Sequence, residues 1–198
     1  DIGFDLTELS GHDQALAASS RAVGIYCALA QSEPLAHLPE LAASLNNVSV
    51  DLAKVGRLVD ALCAAEQSVA IRRYLSSLRP DFHLEGLAAS LNNLGGLLDR
   101  LGCPEQCLKV SREATEIRIV LAERSPGKYL PVLASSLANL SVSLARIGRL
   151  NEADALARLA TDILRRIDKA RQAALSNDET HDERQRGDER LESDVREG

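Results

Sequence analysis

The heptapeptide Leu41–Asn47, Leu-Ala-Ala-Ser-Leu-Asn-Asn, returns letter for letter at Leu87–Asn93 and with two changes at Leu133–Asn139, each time 46 residues on. A period of this length belongs to chains that copy one supersecondary unit and bury the apolar face of each copy against the next. The punctuation keeps the same phase, with Pro34, Pro80 and Pro126 in one slot and Gly56, Gly102 and Gly148 in another. A single closed core gives a chain no reason to repeat itself in this way, so the chain reads as a linear array. Aromatic residues make up only 3% and Trp and Met are absent, so the copies are built from Ala and Leu, which favour helix over strand.

Each unit holds two helices. Leu41, Leu45, Val48, Leu52 and Val55 follow at steps of three and four, the mark of an amphipathic helix, and Pro39 fits its first turn. Gly56 suits the left-handed residue of a C-terminal cap. A second helix over about 58–78 uses Ala61, Leu62, Ala65, Val69, Ile71 and Leu75. Unit two repeats this with Leu91, Leu94, Leu98, Gly102 and a helix from Pro104 to about Glu123. Unit three does so with Leu137, Leu140, Leu144, Gly148 and a helix from Leu150.

Upstream, Asp1–Leu9 lies in phase with the back half of a first helix, and a second helix is expected from His12 to about Ser32, with Ala15, Ala22, Ile25 and Leu29 on its packed side. Further repeats are therefore expected before residue 1 in the parent chain. The division is a partial unit at 1–33, units at 34–79, 80–125 and 126–175, and a tail at 176–198. The tail is so rich in Asp, Glu and Arg that it is expected to be disordered.

A net charge of −6 and a pI near 5.3 argue against a nucleic-acid footprint, which needs a basic face. The apolar runs are too short to span a bilayer, and no leader is visible, so a cytoplasmic location is expected. The four cysteines occupy unrelated slots and are expected to be reduced, packed as small apolar groups. Cys103 and Cys107 share a helical face, but no His completes a zinc set, and neither metal nor cofactor is expected. No phosphate loop, metal set or nucleophile with its base is present, so the chain is not expected to be an enzyme. His37, His83 and Tyr129 share one slot, expected to be a ring packed over the loop between units.

Counted from each glycine, Leu45, Val48, Ser49, Leu52, Gly56, Ala61 and Ser68 resemble the signature positions of the tetratricopeptide repeat. So do Leu91, Leu94, Gly95, Leu98, Gly102, Cys107 and Ala114, and Leu137, Leu140, Ser141, Leu144, Gly148, Ala153 and Ala160. The usual period of that family is about 34 residues. The longer period here is similar to the kinesin-light-chain type, with its Leu-Asn-Asn-Leu motif, and the likeness covers about residues 1–170. The resemblance implies an all-α, right-handed α-solenoid of antiparallel helix pairs, about three and a half repeats long. It also places Gly3, Ser49, Gly95 and Ser141 where paired helices approach closely, answered by Ala22, Ala114 and Ala160, with Ser68 as a polar exception. A bulky side chain there is expected to cost about 1 to 3 kcal/mol.

Asn47 and Lys54 lie seven residues apart and two residues off the core stripe, about 200° around the helix, so they point away from the core. The same offset recurs in Asn93 with Arg100 and in Asn139 with Arg146. In arrays of this family the first helices line the concave groove, and the matching Asn of peptide-binding members contacts ligand backbone or carboxylate. An amide can pair with any extended backbone, and the cations would draw an acidic or C-terminal carboxylate. The competing structural reading is that the amides bond between neighbouring units and the cations complement helix C-termini. Asn46 and Asn92 lose their counterpart at Ala138, and Phe82 and Tyr74 could form an apolar pocket whose direction the sequence leaves open.

The expected function is a protein-interaction module that holds a protein or peptide partner, acidic or with a free C-terminus, by Asn47, Asn93, Asn139, Lys54, Arg100 and Arg146. The alternative is a regulatory or sensor arm of a larger signalling enzyme, an NTPase or a caspase-like protease, whose catalytic domain lies outside this chain.

Overall fold

The computed structural model describes residues 2–172, with side chains from residue 11 onward. It is an all-α solenoid. The order is α1 (Ile2–Ser32), α2 (Pro34–Lys54), α3 (Leu58–Leu78), α4 (Pro80–Arg100), α5 (Pro104–Arg124), α6 (Pro126–Arg146) and a seventh helix, α7, at 150–172. The period has a direct physical composition. Two helices of 21 residues, a three-residue turn and a single-residue joint make up the first and second units.

The three-residue turn is the same device each time. Gly56, Gly102 and Gly148 take φ of 80°, 72° and 79°. In the first turn the Arg57 amide donates to the Leu52 carbonyl at 2.9 Å and the Gly56 amide to Ala53 at 3.3 Å, the doubled closure of a Schellman cap. The joint residues Arg79 and Ser125 are extended, with φ of −141° and −144°, as expected before a proline. Pro80 and Pro126 then open the next helix, where no partner for an amide would exist.

Three expectations about helices are corrected. First, α1 is one continuous helix, not two: the slot that holds glycine in the later turns holds Ser10, and Gly11 beside it stays helical without a positive φ. Its packed side carries Leu16 and Val23, whereas Ile25 is 59% exposed. Second, Pro34 rather than Pro39 begins α2, so Pro39 and Pro131 sit inside their helices. Third, His37, His83 and Tyr129 are in the opening turns of α2, α4 and α6, not in loops, because these helices start at the joint proline.

The core runs the length of the array as small interdigitating side chains. Val48, Leu52, Ala61, Ala65, Val69, Leu91, Leu94 and Leu98 form one continuous cluster across the first two units. Leu91 is wholly buried. Ser68 is equally buried and links units, its hydroxyl donating to the Ala42 carbonyl at 2.7 Å and meeting Ser90 Oγ at 3.0 Å. A Cβ added at Gly95 would stand 3.2 Å from Ser111 Oγ and 3.5 Å from Val110 Cγ2, so the close approach is real, but Ser111 and not Ala114 answers it. The cysteines are free, and only Cys107 is buried; Cys27 and Cys63 are exposed, which corrects the expectation that all four are packed. The expected tail at 176–198, and the last residues of the third unit, lie outside the described residues.

Candidate functional site

The first helices α2 and α4 touch directly, whereas α3 and α5 reach each other through the long arms of Arg73 and Glu113. The first helices α2 and α4 therefore approach each other more closely than the second helices α3 and α5 do, which puts their outward stripe on the inner side of the curve between these two units. Two hollows run along that stripe. One, of about 310 Å³ between α2 and α4, is lined by Val50, Lys54, Asn92, Asn93, Gly96 and Arg100. The other, of about 250 Å³ between α4 and α6, is lined by Asn92, Gly96, Asp99, Asn139, Val142 and Ser143. Gly96 and Asn92 belong to both. A Cβ at Gly96 would meet nothing within 4 Å, so no packing demands glycine there, and its effect is to leave the two hollows continuous.

The expected site residues divide. Lys54, Asn93 and Arg100 share the first hollow and Asn139 enters the second, while Asn47 and Arg146 lie outside both walls. Asn93 Nδ2 donates to Asn46 Oδ1 at 3.0 Å, so this amide ties neighbouring units together. Asn47 and Asn139 are exposed.

The cations are engaged inside the array. Arg100 donates to the Ala53 carbonyl at 3.1 Å, closing the last turn of the preceding first helix. Arg146 pairs with Asp99 of the preceding unit, and Lys54 Nζ lies 3.5 Å from Asp51 of its own helix. All three occupy last turns, where a cation also complements the helix dipole. The structure thus gives the cations an internal role that spacing alone could not distinguish from ligand binding.

Asn92 and Gly96 are what sequence reasoning passed over. A signal existed, since Gly96 stands in a slot that holds Val50 and Val142 in the neighbouring units. Among the described residues no group of three His, Cys, Asp or Glu side chains could hold a metal ion, and no helix is long and apolar enough to cross a membrane.

The family model for the tetratricopeptide repeat matches residues 133–167, which is the third in-phase copy of the unit. Over that stretch the chain is similar to the tetratricopeptide repeat, and two further copies stand in phase with it. Among solved structures, this helical array is similar to the apo form of RapI, with a TM-score of 0.63 at 19% identity over 85% of this chain and 55% of that one. It is similar to BtubC (BKLC) from P. vanneervenii, with a TM-score of 0.59 at 18% identity over 79% of this chain and 58% of that one. A third likeness is to the nearly identical TPR-like repeats of a Podosopora anserina putative kinesin light chain, with a TM-score of 0.53 at 18% identity over 78% and 76%. At these identities the likeness is one of fold. The chain spans less than two thirds of the length of the first two. No curated protein matches it.

Proposed function

We propose that this tetratricopeptide array is a protein-interaction module that binds an extended segment of a partner along its first helices. The carrying observation is the pair of hollows joined over Gly96, a trough spanning three first helices. An extended peptide advances about 3.3 Å per residue, so a segment of several residues would run from Lys54 past Asn92 toward Asn139. Asn47, Asn93 and Asn139 supply amides that pair with peptide backbone irrespective of its side chains. Lys54 and Arg100, though already engaged, give the first hollow a cationic edge that favours an acidic segment or a free C-terminal carboxylate, while Arg146 beyond the walls offsets Asp99 of the second hollow. A preformed surface spends little free energy on ordering itself when a partner arrives.

Two variants test this. Gly96→Leu starts from a Cβ that meets nothing within 4 Å, sets a bulky side chain where the two hollows join and replaces a residue poor in helix propensity, so it is expected to keep or slightly raise stability while abolishing capture of acidic peptides in fluorescence anisotropy. Undiminished binding by that variant would remove the trough from consideration. The Asn47, Asn93 and Asn139 triple alanine variant is expected to keep its circular dichroism and lose binding; if it unfolds, the amides are structural.

A further inference from the structure

The joints between units are not equivalent, and comparing them slot by slot isolates a second recognition surface. At the joint between the second and third units the slots carry charge. Arg124 at the end of α5 pairs with Asp81 in the first turn of α4, and Lys128 Nζ and Tyr129 Oη both donate to Glu85 Oε2, at 2.9 and 2.7 Å. These pairs close the joint from outside. One period earlier, Leu35 stands in the slot of Asp81, Pro39 in that of Glu85, Leu78 in that of Arg124, Phe82 in that of Lys128 and His83 in that of Tyr129.

None of those apolar side chains can pair across the joint. With Leu75 they line an open pocket of about 640 Å³. Phe82, Leu35 and Leu78 remain 75%, 61% and 49% exposed. Polar residues would serve a joint whose only task is to link units, as the next joint shows, whereas an apolar wall facing water is unfavourable by about 25 cal/mol for each Å² left uncovered. The volume falls in the range of about 300 to 1,000 Å³ typical of ligand-binding clefts. The wall holds no carboxylate. Its charged member is Arg79, the extended joint residue, whose guanidinium carbon lies 5.8 Å from the Phe82 ring centre at the rim.

The geometry points to a docking pocket at the first joint for a partner segment that presents a large apolar side chain beside a carboxylate, the apolar group entering between Leu35, Leu78 and Phe82 and the carboxylate meeting Arg79. Charge complementarity selects this occupant over a basic or neutral one, because a cation brought to the rim would face Arg79 with no acid in the wall to offset it. The pocket lies among helix ends at the joint, is lined by none of the trough residues, and does not depend on the trough's function.

The test uses blocked tripeptides on the whole chain, followed by amide chemical shifts. Acetyl-Phe-Leu-Glu-amide is expected to move resonances of Leu35, Leu78 and Phe82 and to bind about tenfold tighter than acetyl-Phe-Leu-Lys-amide or acetyl-Ala-Ala-Glu-amide. Arg79→Glu is expected to reverse the Glu-over-Lys preference. The pair Leu35→Asp with Leu78→Arg installs the ion pair of the next joint at positions already exposed, and is expected to abolish the response with helicity unchanged. Equal binding of the Glu and Lys peptides, a response confined to the trough, or binding that survives the installed ion pair would each overturn the proposal. Concentration-dependent self-association that this double variant abolishes would assign the pocket to a second copy of the chain, and would overturn it too.

Discussion

Gly102 sits at φ 72°, where a residue with a Cβ is penalised by about 1 to 2 kcal/mol. Gly102→Ala is therefore expected to lower unfolding free energy by about that amount in a urea titration, with an unchanged slope because the same surface is exposed on unfolding. Ser68 behaves differently, since its environment and not its backbone is special. Because Ser68 gives its proton to the Ala42 carbonyl, Ser90 must supply the proton for the bond between the two hydroxyls. Ser68→Ala strips Ser90 of its acceptor and is expected to cost about 1 to 3 kcal/mol. The double variant with Ser90→Ala is expected to cost less than the two single losses combined, which a double-mutant cycle measures. At this scale the sequence was informative about slots and silent about partners. That Asn93 occupies a ladder position is legible from the period; that it bonds to Asn46 of the previous unit depends on the rotation between units, which no single repeat encodes.

Helix boundaries were legible where glycine and proline act through their own backbones. The turn glycines and joint prolines mark the ends of α2 to α6 because a Schellman cap and an amide-free first turn are local requirements. Pro39 and Pro131 misled for the complementary reason. A proline also tolerates the second turn of a helix if packing outweighs the lost bond, and packing is not local. Pro131→Ala is expected to raise stability by about 1 to 3 kcal/mol, read as a higher denaturation midpoint, if the ring contributes nothing else to α6.

Between elements, the Glu85, Lys128 and Tyr129 contact gives a pH signature. Hydrogen bonds from Lys128 and then Tyr129 hold the Glu85 carboxyl below its usual range, and the bonds of Lys128 to Tyr129 and to Glu85 raise its ammonium. A depressed carboxyl stabilises above its unfolded pKa and loses that contribution as pH falls through the folded one. A raised ammonium stabilises below its unfolded pKa and loses that as pH rises through the folded one. Glu85→Gln is thus expected to be less stable than the parent at neutral pH and to converge with it in acid, by a small margin because the groups are exposed and screened.

As a whole, the described array is held by contacts between successive helices, α1 on α2, α2 on α3 and so on, supplemented by α2 on α4, and among the described residues no contact closes the ends. Stability in such an array is close to a sum of unit and interface terms, so position along the chain decides what a core mutation does. Leu91 and Leu144 are equally deep, and truncation to Ala at either is expected to cost about 2 to 5 kcal/mol locally. Hydrogen exchange is expected to separate them. Leu91→Ala loosens the middle of the array and speeds exchange in α3 to α5, whereas Leu144→Ala frees α6 and α7 while α2 and α3 stay protected. The architecture was legible at this scale because the period is repeated three times. The differences between joints were written in the same slots, but their meaning needed the geometry that brings Leu35, Leu78 and Phe82 together.

The single residue between α3 and α4, and again between α5 and α6, bears on how such a chain can change in length. One extended residue cannot absorb an insertion, since adding or losing a residue there would turn the following helix by about 100° and carry its leucines away from the core. A change of one whole unit restores every contact. The joint therefore acts as a ratchet on the gene, admitting gain or loss in complete repeats and rejecting most lengths in between, which would leave near-identical copies such as Leu41–Asn47 and Leu87–Asn93 as the trace of duplication.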